Sequence, residues 1–165
     1  MSEATDRALM QRAIDLGRQA RFWAAPNPAV GCVLARDGEV IGSGYTQPVG
    51  QAHAEVMALQ SAVNAQRSTA YVTLEPCAHE SVRGPNCTDA LVAAGITRVV
   101  VALRDPDPRT NGQGITRLKA AGIAVEAGLM AAEAARAMAG WLMQQQQGRP
   151  FVTLKLATSL DGCVA

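Results

Sequence analysis

The sequence lacks an excess of either charge and lacks any long apolar run. Its 15 basic and 14 acidic side chains leave a formal net charge of +1, so no overall field draws the chain to nucleic acid or to a membrane. No stretch approaches the roughly 18 apolar residues of a membrane-spanning helix, and residues 1–6 lack the pattern of a secretory leader. We therefore expect a cytoplasmic protein that binds neither nucleic acid nor a membrane.

Internal repeats and the composition of disordered or fibrous chains are also missing. With 165 residues, 48% of them hydrophobic, the chain is long enough for one domain with a buried core. Cysteine is scarce, and the four cysteines are Cys32, Cys77, Cys87 and Cys163. In a reducing compartment such residues are thiols or metal ligands rather than disulfides, so they stay available to bind a metal ion.

Helical and strand-like patterns alternate along most of the chain. Apolar spacing and capping signals, with Thr5 and Asp6 able to cap the first helix and match the charge at its start, predict helices at 5–20, 52–63, 88–94, 114–121 and 131–143. Runs of β-forming residues predict strands at 29–35, 39–45, 69–74, 98–103 and 123–126, with a hairpin turn at Asp37-Gly38. This order is typical of an α/β protein whose sheet is covered by helices.

The last segment has a different pattern. Residues 144–150 predict a helix end and a linker, residues 151–157 predict a new strand, and residues 159–162 predict a turn. A single strand has no partner for its backbone hydrogen bonds, so we interpret it as the opening of a further domain. The predicted division is a domain at 1–147, then a linker and a first strand at 148–165.

Three metal-binding side chains stand at the ends of predicted elements. His53 lies at the start of a helix, Cys77 follows a strand, and Cys87 precedes a helix after nine intervening residues. One imidazole and two thiolates suit Zn²⁺, and three protein ligands leave the fourth tetrahedral position open, as in catalytic sites. The helix N-termini nearby favour thiolate over thiol. The sequence therefore predicts a catalytic zinc site.

Glu55 is the candidate proton carrier of this site. In a regular helix a residue two positions after His53 points about 200° away from it, so its reach depends on the geometry of the first turn. His-x-Glu followed by Pro-Cys-x-x-Cys is nevertheless the signature of zinc-dependent nucleobase deaminases, in which the Glu is the acid and base rather than a ligand, although the spacing from Cys77 to Cys87 is wider here. Two other interpretations stay open: ordinary surface and core residues without a metal, or a structural zinc site with His79 as fourth ligand.

Four stretches of the sequence carry a family resemblance. They are Pro-Asn-Pro-Ala-Val-Gly-Cys-Val at 26–33, His-Ala-Glu at 53–55, Thr-Leu-Glu-Pro-Cys-Ala-His at 73–79 with Pro-Asn-Cys at 85–87, and Asp-Pro-Asp-Pro at 105–108. Together they resemble the cytidine-deaminase-like superfamily, most closely the deaminase domain of the bifunctional riboflavin-biosynthesis deaminase/reductases, over nearly the whole chain. The resemblance implies a three-layer α/β/α fold around a central mixed five-stranded sheet.

The resemblance also implies an activity. A zinc-dependent hydrolase would deaminate 2,5-diamino-6-(5-phosphoribosylamino)pyrimidin-4-one in riboflavin biosynthesis, by zinc-hydroxide attack with Glu55 as proton shuttle. The implied substrate contacts are Asn27 and His79 to the pyrimidine, Arg83 to the phosphate, and Asp105 and Asp107 to the ribose. Each has an ordinary alternative, since Asn27 suits a turn, the aspartates suit loop capping, and Arg83 suits any exposed loop.

The sequence departs from the family pattern at three places. Thr46 stands where family members commonly have a His, seven residues ahead of the zinc His. The loop between Cys77 and Cys87 is one residue longer than usual, and Asp107 stands where Asn is frequent. All three departures concern the substrate contacts and leave the predicted metal ligands unchanged.

The resemblance carries further expectations about cofactors and partners. Residues 149–162 resemble the opening of the family's reductase domain, so NADPH is expected only where a complete reductase domain follows, and this chain is predicted to be a deaminase with Zn²⁺ alone. Oligomerisation among the relatives predicts a homo-oligomer. Two alternative functions stay open: a related deaminase acting on a nucleoside, guanine or tRNA adenosine, and a non-catalytic zinc module. The near-zero net charge disfavours tRNA.

Overall fold

The computed structural model describes residues 2–79 and 86–163. Within these residues the helices are α1 Glu3–Ala20, α2 Ala54–Ser61, α3 Cys87–Ala93, α4 Gln113–Ala120, α5 Ala131–Ala137 and α6 Ala139–Gln147. The strands are β1 Gly31–Arg36, β2 Glu39–Tyr45, β3 Thr69–Leu74, β4 Arg98–Leu103 and β5 Ala124–Ala127. They form one five-stranded sheet in the order β2-β1-β3-β4-β5.

The sheet is mixed, and its strand directions bring several loops to one edge, namely the edge formed by the carboxyl ends of β3 and β4. β1 is antiparallel to both β2 and β3, whereas β3, β4 and β5 are parallel. Leu74 pairs with Leu103 near the carboxyl ends of β3 and β4, and Cys32 near the amino end of β1 pairs with Val72. The segments before β1, after β3 and after β4 therefore meet at the same edge.

Helices cover both faces of the sheet. One core lies beneath α2, α3 and α4, and its fully buried members include Cys32, Leu34, Ala58, Val72, Leu91, Val99, Val101 and Leu118. The other lies beneath α1 and α5 and includes Met10, Ala13, Ile14, Val33, Tyr71, Val100 and Ala134. Successive residues of β1, β3 and β4 alternate between the two cores, as the pleat of a strand requires. The predicted three-layer α/β/α fold with a mixed five-stranded sheet is confirmed.

Two glycines of β2 allow α2 to lie directly on the strand. A Cβ on Gly42 would stand 2.5 Å from the carbonyl oxygen of Ala58, and a Cβ on Gly44 would stand 2.6 Å from that of Ala54. No side chain fits in this space, so the helix rests on the strand backbone. This contact sets the position of the first turn of α2, which carries Glu55.

The first helix begins earlier than predicted, and its cap is a different residue. Ser2 is the N-cap, and its hydroxyl accepts the N–H of Thr5 at 3.2 Å. Asp6 does not cap the helix, because its carboxylate is buried against Arg98 and Tyr71. The predicted cap was wrong, because Asp6 binds partners that are 65 and 92 positions away in sequence, whereas its predicted negative charge does lie in the first turn.

The predicted helix at 131–143 is two helices, and residues 144–147 are helical rather than linker. The chain breaks at Met138, whose φ of −122° and ψ of 29° lie outside the helical region. Ala134 packs in the core beneath α1, whereas Met138 packs in the core on the other face of the sheet. The break follows from this change of core, which an alanine-rich pattern does not reveal.

Residues 151–157 form no strand, so that prediction was wrong for this chain. Every residue from 149 to 163 is exposed, and no neighbouring strand lies in the described part of the chain to supply hydrogen bonds. The division at residue 148 and the assignment of the segment to a further domain stay predictions. None of the described helices has the length and apolar character needed to cross a membrane.

Candidate metal centre and active site

The structure brings His53, Cys77 and Cys87 together from three separate elements. His53 directly precedes α2, Cys77 follows β3, and Cys87 opens α3. Nδ1 of His53 lies 3.3 Å from Sγ of Cys87 and 3.6 Å from Sγ of Cys77, and the three donor atoms all lie within 4.8 Å of one another. The predicted ligand set is therefore one cluster.

The cluster fits a zinc ion by its donor chemistry and by its spacing. Nitrogen and sulfur donors on one tetrahedral zinc are about 3.6 Å apart, given the usual bond lengths. The observed separations of 3.3 and 3.6 Å match this value. His79, the candidate fourth ligand of a structural site, does not belong to the cluster formed by the described residues. Three protein donors favour a site with one open position.

The two thiols share hydrogen bonds. The backbone N–H of Cys87 donates to Sγ of Cys77 at 3.3 Å. A hydrogen bond from the Cys87 thiol, together with the bonds from His53 and from this N–H, lowers the pKa of Cys77 to about 4. The Cys77 thiolate and burial raise the pKa of Cys87 above its usual value. These bonds favour the thiolate form of Cys77, which is the form that binds a metal.

The backbone at His53 decides where Glu55 lies. His53 is the N-cap of α2, with an extended φ of −76° and ψ of 166°, and its side chain does not cap the helix. The 200° offset of a regular helix therefore does not apply between these two residues. Glu55 is 4% exposed, and its carboxyl forms a hydrogen bond with Cys87. The first turn of α2 places this carboxyl beside the cluster.

Burial dominates the electrostatics of Glu55. Desolvation raises the pKa of its carboxyl to about 7, and the negative charge of Cys77 adds to the rise. The charge of His53 and hydrogen bonds from the backbone and Cys87 oppose it. A carboxyl with this pKa accepts and donates protons near neutral pH, which suits general acid and base catalysis.

Thr88 and Asn86, which the sequence analysis did not single out, hold the backbone around the two cysteines. The hydroxyl of Thr88 donates to the carbonyl oxygens of Cys77 at 2.9 Å and Pro76 at 3.3 Å. Asn86 is the N-cap of α3, and its side-chain oxygen accepts the N–H of Asp89 at 2.9 Å. The Asn86-to-Asp89 spacing is a helix-start signal that would have placed the start of α3 at Cys87.

Thr46 holds the loop that carries Asn27. Its hydroxyl donates to the carbonyl oxygen of Pro28 at 2.9 Å and accepts the N–H of Val30 at 3.0 Å, and its carbonyl oxygen accepts the indole N–H of Trp23 at 3.3 Å. Asn27 is half-buried just before β1, at the edge of the sheet where the cluster lies. Thr46 is 3% exposed, so its role here is to hold backbone.

The other predicted substrate contacts differ in whether protein groups already bind their polar atoms. Nδ1 of His79 is buried and has no hydrogen-bond partner among the described residues. Burial raises the pKa of Asp105 to about 6, and its Oδ1 accepts the N–H of Asp107 at 2.8 Å. Asp107 is engaged by the Arg109 guanidinium, which lowers the pKa of that carboxyl. Arg83 lies outside the described residues.

Comparison with known proteins agrees with this geometry. Residues 3–103 match the family described as "Cytidine and deoxycytidylate deaminase zinc-binding region". The riboflavin biosynthesis protein RibD of Escherichia coli (strain K12) is 50% identical over 161 residues, which cover 97% of this chain and 44% of that protein.

Solved structures show the same similarity. RibD of Acinetobacter baumannii superposes with a TM-score of 0.88 at 48% identity, over 96% of this chain and 45% of that one. A diaminohydroxyphosphoribosylaminopyrimidine deaminase/5-amino-6-(5-phosphoribosylamino)uracil reductase from Thermotoga maritima superposes with a TM-score of 0.91 at 37% identity, over 96% and 46%. The chain spans less than half the length of these relatives.

Proposed function

The chain belongs to the cytidine and deoxycytidylate deaminase family, and from this membership we propose that it is a zinc-dependent hydrolase acting on 2,5-diamino-6-(5-phosphoribosylamino)pyrimidin-4-one. The observation that carries the proposal is the buried Glu55 carboxyl beside three clustered zinc donors. Identity of 48–50% to RibD proteins of two bacteria supports the substrate.

His53, Cys77 and Cys87 are the proposed zinc ligands. A bound zinc ion supplies Lewis acidity and makes water ionise near neutral pH. The Thr88 bonds to the Pro76-Cys77 backbone and the N–H of Cys87 on Sγ of Cys77 hold the two thiols in place. Such supporting contacts orient metal ligands and tune their basicity.

Glu55 is the proposed proton shuttle. Its carboxylate takes a proton from the attacking water and delivers it to the ring nitrogen beside the amino-bearing carbon. The same carboxyl then moves the proton of the new hydroxyl group to the amino nitrogen, the C–N bond breaks, and ammonia leaves as the ring carbonyl forms. A pKa of about 7 lets one group perform both transfers.

Four of the five proposed substrate contacts, namely Asn27, His79, Asp105 and Asp107, belong to segments next to the carboxyl ends of β3 and β4. Asn27 and His79 are assigned to the pyrimidine, and the unpartnered Nδ1 of His79 supports its part. Asp105 and Asp107 are assigned to the ribose, and Arg83 to the phosphate. The structure leaves Asp107 paired with Arg109, so its contact requires that carboxylate to accept a ribose hydroxyl alongside the guanidinium.

Three wider expectations belong to the same proposal. The chain works in the cytoplasm as a homo-oligomer, its partner is a small molecule, and residues 148–165 connect it to a further domain. NADPH is required only by that further domain. Light scattering, which measures the mass of the particle in solution, tests whether the protein is a homo-oligomer.

The direct test is release of ammonia by the zinc-loaded protein from the proposed substrate. We expect turnover with the phosphoribosylamino-pyrimidine and none with cytidine, guanine or tRNA. Turnover with one of these three alone would reassign the chain to another deaminase, and the absence of ammonia from every compound would favour a non-catalytic zinc module.

A further inference from the structure

Glu75 is a buried carboxylate two positions before the proposed ligand Cys77. It directly follows β3, and its backbone N–H donates to the carbonyl oxygen of Leu103 at 2.8 Å, which continues the pairing of β3 with β4. The residue is 3% exposed. Since a buried ionised carboxylate is costly without hydrogen bonds, its partners indicate why it lies there.

The Glu75 side chain accepts three backbone N–H groups from one segment of the chain. Oε2 accepts the N–H of Asp105 at 3.2 Å and of Gly112 at 2.9 Å, and Oε1 accepts the N–H of Ile115 at 3.0 Å. No lysine or arginine among the described residues forms a salt bridge with it. In the described part of the chain, its side-chain oxygens are therefore bonded by backbone donors alone.

These three bonds fix the segment that carries the proposed ribose contacts. Asp105 is held through its own N–H, and its carboxylate in turn accepts the N–H of Asp107 at 2.8 Å. The next bond runs from the N–H of Arg109 to Oδ1 of Asp107 at 2.9 Å. Glu75 thus anchors the backbone from which these local bonds orient the two aspartate side chains.

The same segment also touches the backbone next to the metal cluster. A Cβ on Gly114 would stand only 2.2 Å from the carbonyl oxygen of Pro76, so the start of α4 rests on the Pro76 peptide. The hydroxyl of Thr88 donates to the same carbonyl oxygen at 3.3 Å. Glu75 thus lies between the backbone of a zinc ligand and the loop of the proposed sugar contacts.

We infer that Glu75 is a positioning residue that sets the distance between the zinc site and the Asp105-to-Asp107 loop, and thereby the affinity for the phosphoribosyl part of the substrate. The inference rests on the proposed function and adds a residue to it. The hydrogen bonds of Glu75 within the described residues go to backbone groups, and none joins it to His53, Cys77 or Cys87, so we expect its loss to weaken substrate binding and leave proton transfer by Glu55 largely intact.

The test compares E75Q with D6N in the zinc-loaded protein. A glutamine keeps one acceptor oxygen and turns an amide N–H₂ toward a backbone donor, so one or two of the three bonds are lost. D6N removes the charge of another buried carboxyl, at the opposite ends of β3 and β4, and is the control for a purely structural effect. KM, kcat, bound zinc and the melting temperature are measured for each protein.

We expect E75Q to raise KM about tenfold or more, with kcat within about threefold of the wild type and one zinc per chain. D6N lowers the melting temperature without raising KM. Should E75Q not fold, E75D, which keeps both acceptor oxygens on a shorter stem, is measured for the same rise in KM.

An unchanged KM, or a lower kcat at unchanged KM, would overturn the role of Glu75 and leave the proposed function standing. A wild-type protein without turnover would overturn the proposed function and the substrate part of this inference with it.

Discussion

Nδ1 of His53 lies 3.3 Å from Sγ of Cys87, although 34 positions separate the two residues. The contact exists because α2 and α3 both begin at the edge where β3 ends. Cys77 completes the group from the segment that follows β3. Removing one donor atom therefore tests whether the three residues bind one metal ion together.

Replacing Cys87 with alanine should release the metal. The loss of a direct ligand should weaken zinc binding by more than the about 100-fold that the loss of an outer contact costs. Zinc content after gel filtration and titration with a chelator measure this. C163A is the matched control, because Cys163 is exposed and far from the cluster in sequence. Equal zinc content in C87A and C163A would contradict the ligand assignment.

Replacing Glu55 with glutamine should stop the reaction but keep the metal. Without a carboxyl to move protons, kcat for ammonia release should fall by about 100-fold to 10,000-fold, while bound zinc stays at one per chain. The control is E39Q, which changes an exposed glutamate on β2 and should retain full activity. An active E55Q would rule out this residue as the proton carrier.

The pair of Asp6 and Arg98 should make stability depend on pH. Arg98 and the hydroxyl of Tyr71 hold the pKa of Asp6 below its usual range, so the folded state favours the carboxylate. Its contribution is present above the unfolded pKa of about 4 and is lost as pH falls through the lower folded pKa.

D6N should therefore lower the free energy of unfolding by about 2–4 kcal/mol at pH 7, and this difference from the wild type should shrink below about pH 4. Urea unfolding at several pH values measures it. D15N, which breaks the exposed pair of Asp15 and Arg18, should change stability by less than about 1 kcal/mol. A pH-independent effect of D6N would contradict the depressed pKa.

Thr46 should stabilise the folded state through its hydroxyl group and not through its size. T46V removes the two hydroxyl bonds to the carbonyl oxygen of Pro28 and the N–H of Val30 and leaves these groups only their own contact at 3.1 Å, so unfolding should become easier by about 1–3 kcal/mol. T46S keeps the hydroxyl and should lose clearly less. Thermal unfolding of the two variants checks this, and equal losses would show that the methyl group matters more than the hydrogen bonds.

The sequence predicted some elements with great accuracy. The strands Glu39–Tyr45, Thr69–Leu74 and Arg98–Leu103 have the predicted bounds, because each is a run of strand-compatible residues with turn or loop residues at its ends. The hairpin turn at Asp37-Gly38 is also confirmed, and both residues have the positive φ that such a turn needs. Local patterns of this kind require no knowledge of distant residues.

Elsewhere a distant partner decided the outcome. Aspartate is a residue type that commonly caps helices, yet the carboxylate of Asp6 is buried because Arg98 and Tyr71 bind it. The alanine-rich stretch after β5 reads as one helix, yet Met138 interrupts it to reach the other core. Residues 151–157 favour a strand, yet a strand forms only where a neighbouring strand supplies hydrogen bonds.

By itself, the sequence determined the chemistry available to this protein: an imidazole, two thiols and a carboxyl, each at the end of a predictable element. Only the tertiary structure decided that the three donors lie within 4.8 Å, that the extended backbone of His53 leaves Glu55 beside them, and that Glu75 holds the Asp105 loop through three backbone N–H groups. The physical reason is that side-chain identity is local, whereas burial and hydrogen bonding depend on segments that meet only when the sheet is assembled.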